Sequence, residues 1–430
     1  MKPPIKPRDI AVENILGALL LAYPALLFLV RGGMNGSMFV LAILSVMLLL
    51  AGCRKHLPLL AGEIAFALAM SSGLAAILIV QIHHHDLSAK YFDSAARFLL
   101  AVPILLALRH ARTGKAWRAL QYAFPLGAIA ALLAVLVENR WHAYAQTSFL
   151  NHIHLGDMAI LLAFLSLFGI NWMDRDSLPL KLLKISGFFA GLIVSVLSQA
   201  RGSWIAIPIF IAIYVYAHLQ TKYVMRAALL SALALLVIGL GCWLIEPIQL
   251  RIGLIFSDLS QFRAGHADTS IGIRLQLWGT ALHLIGENPF FGVGAGGFAE
   301  AMRPMSELGR ITPLAADLGR AEVHSEILAQ TVRFGIFGLG FVLALYFVPF
   351  YLFACLARSA DHQQAVAAMM GMCVTLGFFV FGLTVETFNL KMTAAFYSTT
   401  IAVLLAMATA TGNHPKDRAS GAGCGFGKWE

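Results

Sequence analysis

Apolar runs of about 18 residues or more recur along this chain, each long enough to cross a bilayer as a helix. Short segments holding most of the charge separate them. Hydropathy predicts about twelve spans, at 10–30, 35–52, 59–82, 91–108, 119–137, 152–172, 179–199, 203–219, 226–246, 325–356, 363–385 and 392–411. The first run follows Lys2, Lys6 and Arg8, lacks a small-residue cleavage site and leads into further spans. It reads as a retained helix rather than a signal peptide. One long interruption of mixed polarity covers 247–324. The expected organisation is therefore helices 1–9 over 1–246, a large loop with amphipathic helices over 247–324, helices 10–12 over 325–411 and a flexible polar tail over 412–430.

Composition agrees with the pattern. Of 430 residues, 59% are hydrophobic and 12% charged, and the mean hydropathy is +0.78. These values exclude a soluble globular domain and predict an all-α polytopic membrane protein. The net charge of +9 does not call for a nucleic-acid partner, because in such a protein the placement of positive charge sets orientation. With the N-terminus inside, the inside segments carry eighteen lysines and arginines. The short outside segments carry Arg31, Lys90, Arg140, Arg201 and Lys391, with Arg97 close by. Both termini are then cytoplasmic, and the 247–324 loop and Arg201 face outward. Any chemistry on the outer face lacks ATP and nucleotide sugars, so a group donor there must arrive on a lipid or a protein. The cysteines at 53, 242, 355, 373 and 424 show neither paired nor metal-ligand spacing.

Three polar interruptions stand out. Ser198-Gln199-Ala200-Arg201-Gly202-Ser203-Trp204 puts an arginine at the tip of an apolar hairpin, where charge is costly and commonly functional. In the large loop, Thr269 or Ser270 is set to cap a helix whose broad apolar face includes Ile273, Leu277 and Ile285. That helix carries Arg274 in its first turns and ends before Asn288-Pro289. A glycine-rich turn follows at 290–298; no strand precedes it, which argues against dinucleotide binding. His324 then opens span ten, where the positive end of the helix dipole favours a neutral imidazole, the form a general base needs.

Other polar residues are weighed against plainer readings. Lys90 and Arg97 near span four can add to an anion site, or Arg97 can pair with Asp93 one turn before it. His152 and Asp157 open span six, as cavity lining or as interface polarity. Glu386, close to Lys391, can position His324 or an acceptor, or form a salt bridge. Arg333, nine residues beyond His324, marks a polar cavity near membrane depth. His83-His84-His85 face outward.

The three interruptions together resemble the O-antigen ligase and polymerase superfamily, integral membrane glycosyltransferases of the C type. The matching positions are Arg201-Gly202-Ser203, then Arg274 and Trp278 with Pro289, Gly292, Gly294 and Gly297, then His324 with Gly335 and Gly338. The resemblance covers about 198–340. It implies an undecaprenyl-diphosphate-linked glycan as donor, with Arg201 and Arg274 holding the diphosphate and His324 as the catalytic base. It also implies inversion at the anomeric carbon. The two arginines take the charge-neutralising role of a divalent ion, so no metal or other cofactor is expected. Lys90, Arg97, His152, Arg333 and Glu386 are further candidates for the substrate cavity. A single large outer loop favours a ligase that moves glycan to a lipid A–core hydroxyl at the periplasmic face of the inner membrane. The alternatives are an O-antigen polymerase, a protein O-oligosaccharyltransferase and, outside that class, a non-catalytic transporter. Membrane lipids are expected to surround the chain.

Overall fold

The computed structural model describes residues 7–52, 59–110, 114–139, 144–218, 257–258 and 260–410. The expected span 226–246, the tail 412–430 and the cysteines at 53, 242 and 424 lie outside these residues. Helices occupy the other eleven expected spans: α1 (Pro7–Leu29), α2 (Gly33–Gly52), α3 (Ala61–His84), α4 (Phe92–His110), α5 (Gly114–Asn139), α6 (His152–Phe168), α7 (Leu178–Ser198), the one-turn α8 (Arg201–Trp204) with α9 (Ala206–His218), and, after the loop, α13 (Glu326–Leu356), α14 (His362–Phe381) and α15 (Lys391–Ala408). Three loop helices lie between them: α10 (Ser270–Glu287), α11 (Gly297–Glu307) and α12 (Pro313–Gly319). Among the described residues nine helices are long and apolar enough to cross a membrane, α6 and the α8–α9 pair being shorter. No strand occurs among the described residues. The chain is an all-α, multi-pass membrane protein.

The bundle packs α1 along α5, α6 along α7 and α15 along α4. Small residues permit the close approaches, as is usual where no hydrophobic drive separates protein from lipid. A Cβ on Gly191 of α7 would lie 2.4 Å from the Ala159 carbonyl oxygen of α6, and one on Gly187 would meet Pro125 of α5 at 2.6 Å. The polar residues of the deepest helices turn inward, while Leu50, Leu68 and Val137 are exposed at the bundle surface, where lipid covers them.

The loop helices form a small core of their own. Leu277, Ala281, Phe298, Met302 and Ala315 are buried together with Val323 and Val332 of the adjoining chain. Caps set their starts: the Thr269 hydroxyl accepts from the Gly272 N–H at 3.0 Å, and Thr312 accepts from Ala315 ahead of Pro313 in the first turn of α12.

The glycine-rich turn docks into a kink in α13. Gly335 has φ 57° and ψ −142°, outside the helical region. The freed Ile336 N–H donates to the Pro289 carbonyl at 3.0 Å, and the Val293 N–H to the Val332 carbonyl at 2.9 Å. A Cβ at Gly335 would lie 2.2 Å from the Phe290 carbonyl oxygen, and one at Gly292 2.6 Å from Arg333 backbone. The two glycine motifs thus form one interlock, which fixes the loop against the bundle. Gly335→Ala is expected to cost at least about 1–3 kcal/mol from backbone strain alone. A thermal-unfolding scan of the solubilised protein reads this as a lower Tm; an unchanged Tm would contradict the interlock.

Candidate functional site

Each predicted motif sits where helical structure breaks. α7 ends with Gln199 in the left-handed region at φ 57°, and the chain re-enters helix at Arg201. Gly202 lies against Thr384: a Cβ there would be 2.6 Å from the threonine hydroxyl. Arg274 lies one turn into α10, where its Nη1 donates to the Ser270 hydroxyl at 2.8 Å and carbonyl at 3.2 Å. Its Nε is buried with no hydrogen-bond partner among the described residues. Trp278, one turn further on the same face, donates its Nε1–H to the His324 carbonyl at 3.2 Å.

His324 precedes α13 rather than opening it: the helix begins at Glu326 with Ser325 as its cap. At φ 59° His324 occupies the left-handed region, uncommon for a residue with a side chain. It remains at the N-terminal end of α13, two residues before the helix begins. The imidazole also faces a carboxylate, with Nδ1 3.5 Å from Oε1 of Glu322.

The segment 382–388, between α14 and α15, ties these parts together. The Gly382 carbonyl accepts from the Glu326 N–H at 2.7 Å, and Thr384 meets Gly202. The Glu386 N–H donates to Glu322 Oε1 at 2.7 Å, while the Glu386 carbonyl lies 3.2 Å from His154 Nε2. The Glu386 carboxylate accepts from the Val323 N–H at 2.6 Å and binds Arg333 in a bidentate pair at 2.7 and 3.0 Å. Glu326 accepts from the Phe388 N–H at 2.8 Å. This chain of bonds holds the backbone on both sides of His324 to the bundle.

Electrostatics link the same groups. Burial holds the Arg274 guanidinium below its usual range; Glu322 opposes that effect and Arg201 adds to it. For Glu322 burial pushes its carboxyl up, but the facing His324, the Glu386 N–H and nearby His154 outweigh it and hold the group below the usual carboxylate range. His152 is within electrostatic reach of Arg274, and Asp157 within reach of Glu322. Arg274 is therefore within electrostatic reach of both Arg201 and Glu322, and Glu322 faces His324. Two like charges within reach of each other suit a doubly charged anion.

The remaining candidates have protein partners. Arg97 is buried, donating to Asn35 at 2.8 Å and Asp93 at 2.5 Å. Lys90 is exposed, 4.6 Å over the Tyr91 ring. Glu386 pairs with Arg333, not with Lys391 as its sequence position suggested; Lys391 pairs with Asp93. Arg333 accordingly lies behind the site, its charge matched by Glu386. His83 stacks on Phe291 at 3.8 Å, and His84 meets the Gly292 carbonyl at 3.1 Å, so two of the outer histidines brace the glycine-rich turn. Glu322 was missed in the sequence. Its spacing from His324 was the only available signal, and a carboxylate two residues from a histidine is common.

Comparison with known proteins agrees with the geometry. Residues 186–343 match a family described as O-antigen ligase. An uncharacterized protein of Haemophilus influenzae is 25% identical over 267 residues, 61% of this chain and 65% of its own length. An Escherichia coli protein named O-antigen ligase is 29% identical over 168 residues, 38% of this chain and 39% of its own. The alignments thus span just under two thirds of the first relative and about two fifths of the second. The matched family region holds Arg201, Arg274, Trp278, His324 and the interlocked glycines. Over that region the chain resembles the O-antigen ligase family.

Proposed function

We propose that the chain is an O-antigen ligase of the bacterial inner membrane. It moves glycan from undecaprenyl diphosphate to a hydroxyl of lipid A–core at the periplasmic face, with both termini cytoplasmic and the 247–324 loop outside. The observation that supports this reading is that Arg274 is within electrostatic reach of both Arg201 and Glu322, while Glu322 faces His324, so three separate stretches of sequence are linked.

The guanidiniums of Arg201 and Arg274 bind the diphosphate through charge-assisted bonds and stabilise it as it departs. Their charge does not titrate away, which suits a leaving group whose negative charge grows during the reaction. In this reading no metal ion is required. His324 accepts the proton of the acceptor hydroxyl as its oxygen attacks the anomeric carbon. The new C–O bond forms as the bond to the diphosphate breaks with its electron pair, and attack from the opposite face inverts the centre. The Arg333–Glu386 pair supports the backbone beneath His324.

Deleting the gene in its host tests the reading. The lipopolysaccharide ladder is expected to vanish while polymerised glycan accumulates on the lipid carrier. Core bearing a single repeat unit would indicate a polymerase instead. An untouched ladder would contradict both and favour protein glycosylation or transport.

A further inference from the structure

The environment of His324 contains a group that the proposed chemistry leaves without a role. Glu322 Oε1 is fixed from one side by the Glu386 N–H at 2.7 Å and lies 3.5 Å from His324 Nδ1 on the other. That nitrogen is buried and has no hydrogen-bond partner among the described residues. The backbone on either side is held in place: Val323 donates to Glu386, and the His324 carbonyl accepts from Trp278. The two side chains remain 18% and 19% exposed. Contacts of this kind are often long before substrate binds and tighten in the reactive complex.

On the reading that His324 is the base, we propose that Glu322 is a positioning residue that accepts the Nδ1–H of His324 and leaves the Nε2 lone pair facing the acceptor hydroxyl. In a neutral imidazole only one nitrogen carries a proton, and the partner of one nitrogen decides the state of the other. A carboxylate at Nδ1 selects the tautomer with a free Nε2 and stabilises the imidazolium that forms when Nε2 takes the proton. The proton stays on the imidazole until product leaves; Glu322 remains ionised and takes none. Other groups facing Glu322 are His154 and Asp157 of α6, Arg274 of α10 and Arg333 of α13. Of these, Arg274 offers the competing role, since Glu322 can instead serve as its counter-ion. The two roles differ in what they alter: orientation of the base changes kcat, whereas service to Arg274 changes donor binding.

The test uses the purified full-length protein in nanodiscs, with undecaprenyl-diphosphate-linked glycan as donor and lipid A–core as acceptor. Glu322→Gln keeps a carbonyl oxygen for the Glu386 N–H but removes the charge. A fall in kcat of about 10–100-fold, the scale seen when groups orienting a functional histidine are lost, with the donor KM kept within about threefold, is the expected result. Unchanged kcat, or a raised donor KM with kcat intact, overturns the proposal. His324→Ala in the same assay separates it from the reading it rests on: an active His324→Ala removes the base itself, whereas an inactive one beside a fully active Glu322→Gln removes only the role of Glu322. If Glu322→Gln fails to enter the membrane, the wild type decides. Nitrogen-15 NMR of histidine-labelled protein, differenced against His324→Ala, is expected to show the Nδ1–H tautomer, and an Nε2–H tautomer overturns the proposal.

Discussion

His324→Ala is expected to lower kcat by about 10²–10⁴-fold, the usual contribution of a positioned general base. Donor binding should survive, because the arginines proposed to hold the diphosphate lie on α8 and α10 rather than on this turn. The backbone makes a control necessary. His324 sits at φ 59°, and asparagine tolerates that region better than alanine does. His324→Asn therefore keeps the turn while removing the basic nitrogen. Both variants should be inactive, and the asparagine form should unfold at close to the wild-type temperature. Activity in either, measured as glycan transferred per enzyme, would remove His324 from the chemistry.

The second large effect is expected at the arginines. Arg274→Ala and Arg201→Ala should each reduce kcat/KM by about 10²–10³-fold, as losses of preorganised donors to a developing anion do. Unlike the histidine variants, they should also weaken binding of undecaprenyl diphosphate itself, measured by titration into nanodiscs. Lysine is not an adequate replacement, since it carries the charge without the planar bidentate fork. Arg274→Lys should therefore recover only part of the loss. The double variant should cost less than the two single losses multiplied, because both side chains serve one ligand. Equal donor affinity in wild type and both alanine variants would contradict the diphosphate role.

Much of this arrangement was legible in the sequence, for identifiable reasons. The spans follow from runs of apolar residues, and the bounds of α10 follow from Thr269 as cap and Asn288-Pro289 as stop; the helix runs Ser270–Glu287. Arg201, Arg274 and His324 stood out as polar residues placed at breaks between apolar segments. The unread features depend on tertiary contact. Hydropathy treats 325–356 as one span and is blind to the kink at Gly335, which exists because the glycine-rich turn needs the Ile336 N–H. Glu386 is five residues from Lys391 and 53 from Arg333, yet the chain folds back so that the distant arginine is its partner. Glu322 faces His324 only because the left-handed turn at His324 and the Glu386 N–H bring the carboxylate round.

Arg201, Arg274 and His324 are proposed to form one glycosyl-transfer site. Its most direct test is transfer by the purified protein in nanodiscs, from undecaprenyl-diphosphate-linked glycan to lipid A–core, with wild type and His324→Asn side by side. Wild type is expected to release undecaprenyl diphosphate and glycosylate the core, while His324→Asn is expected to bind donor and transfer none. Wild type that binds donor but never transfers it, or His324→Asn that transfers as fast as wild type, would contradict it.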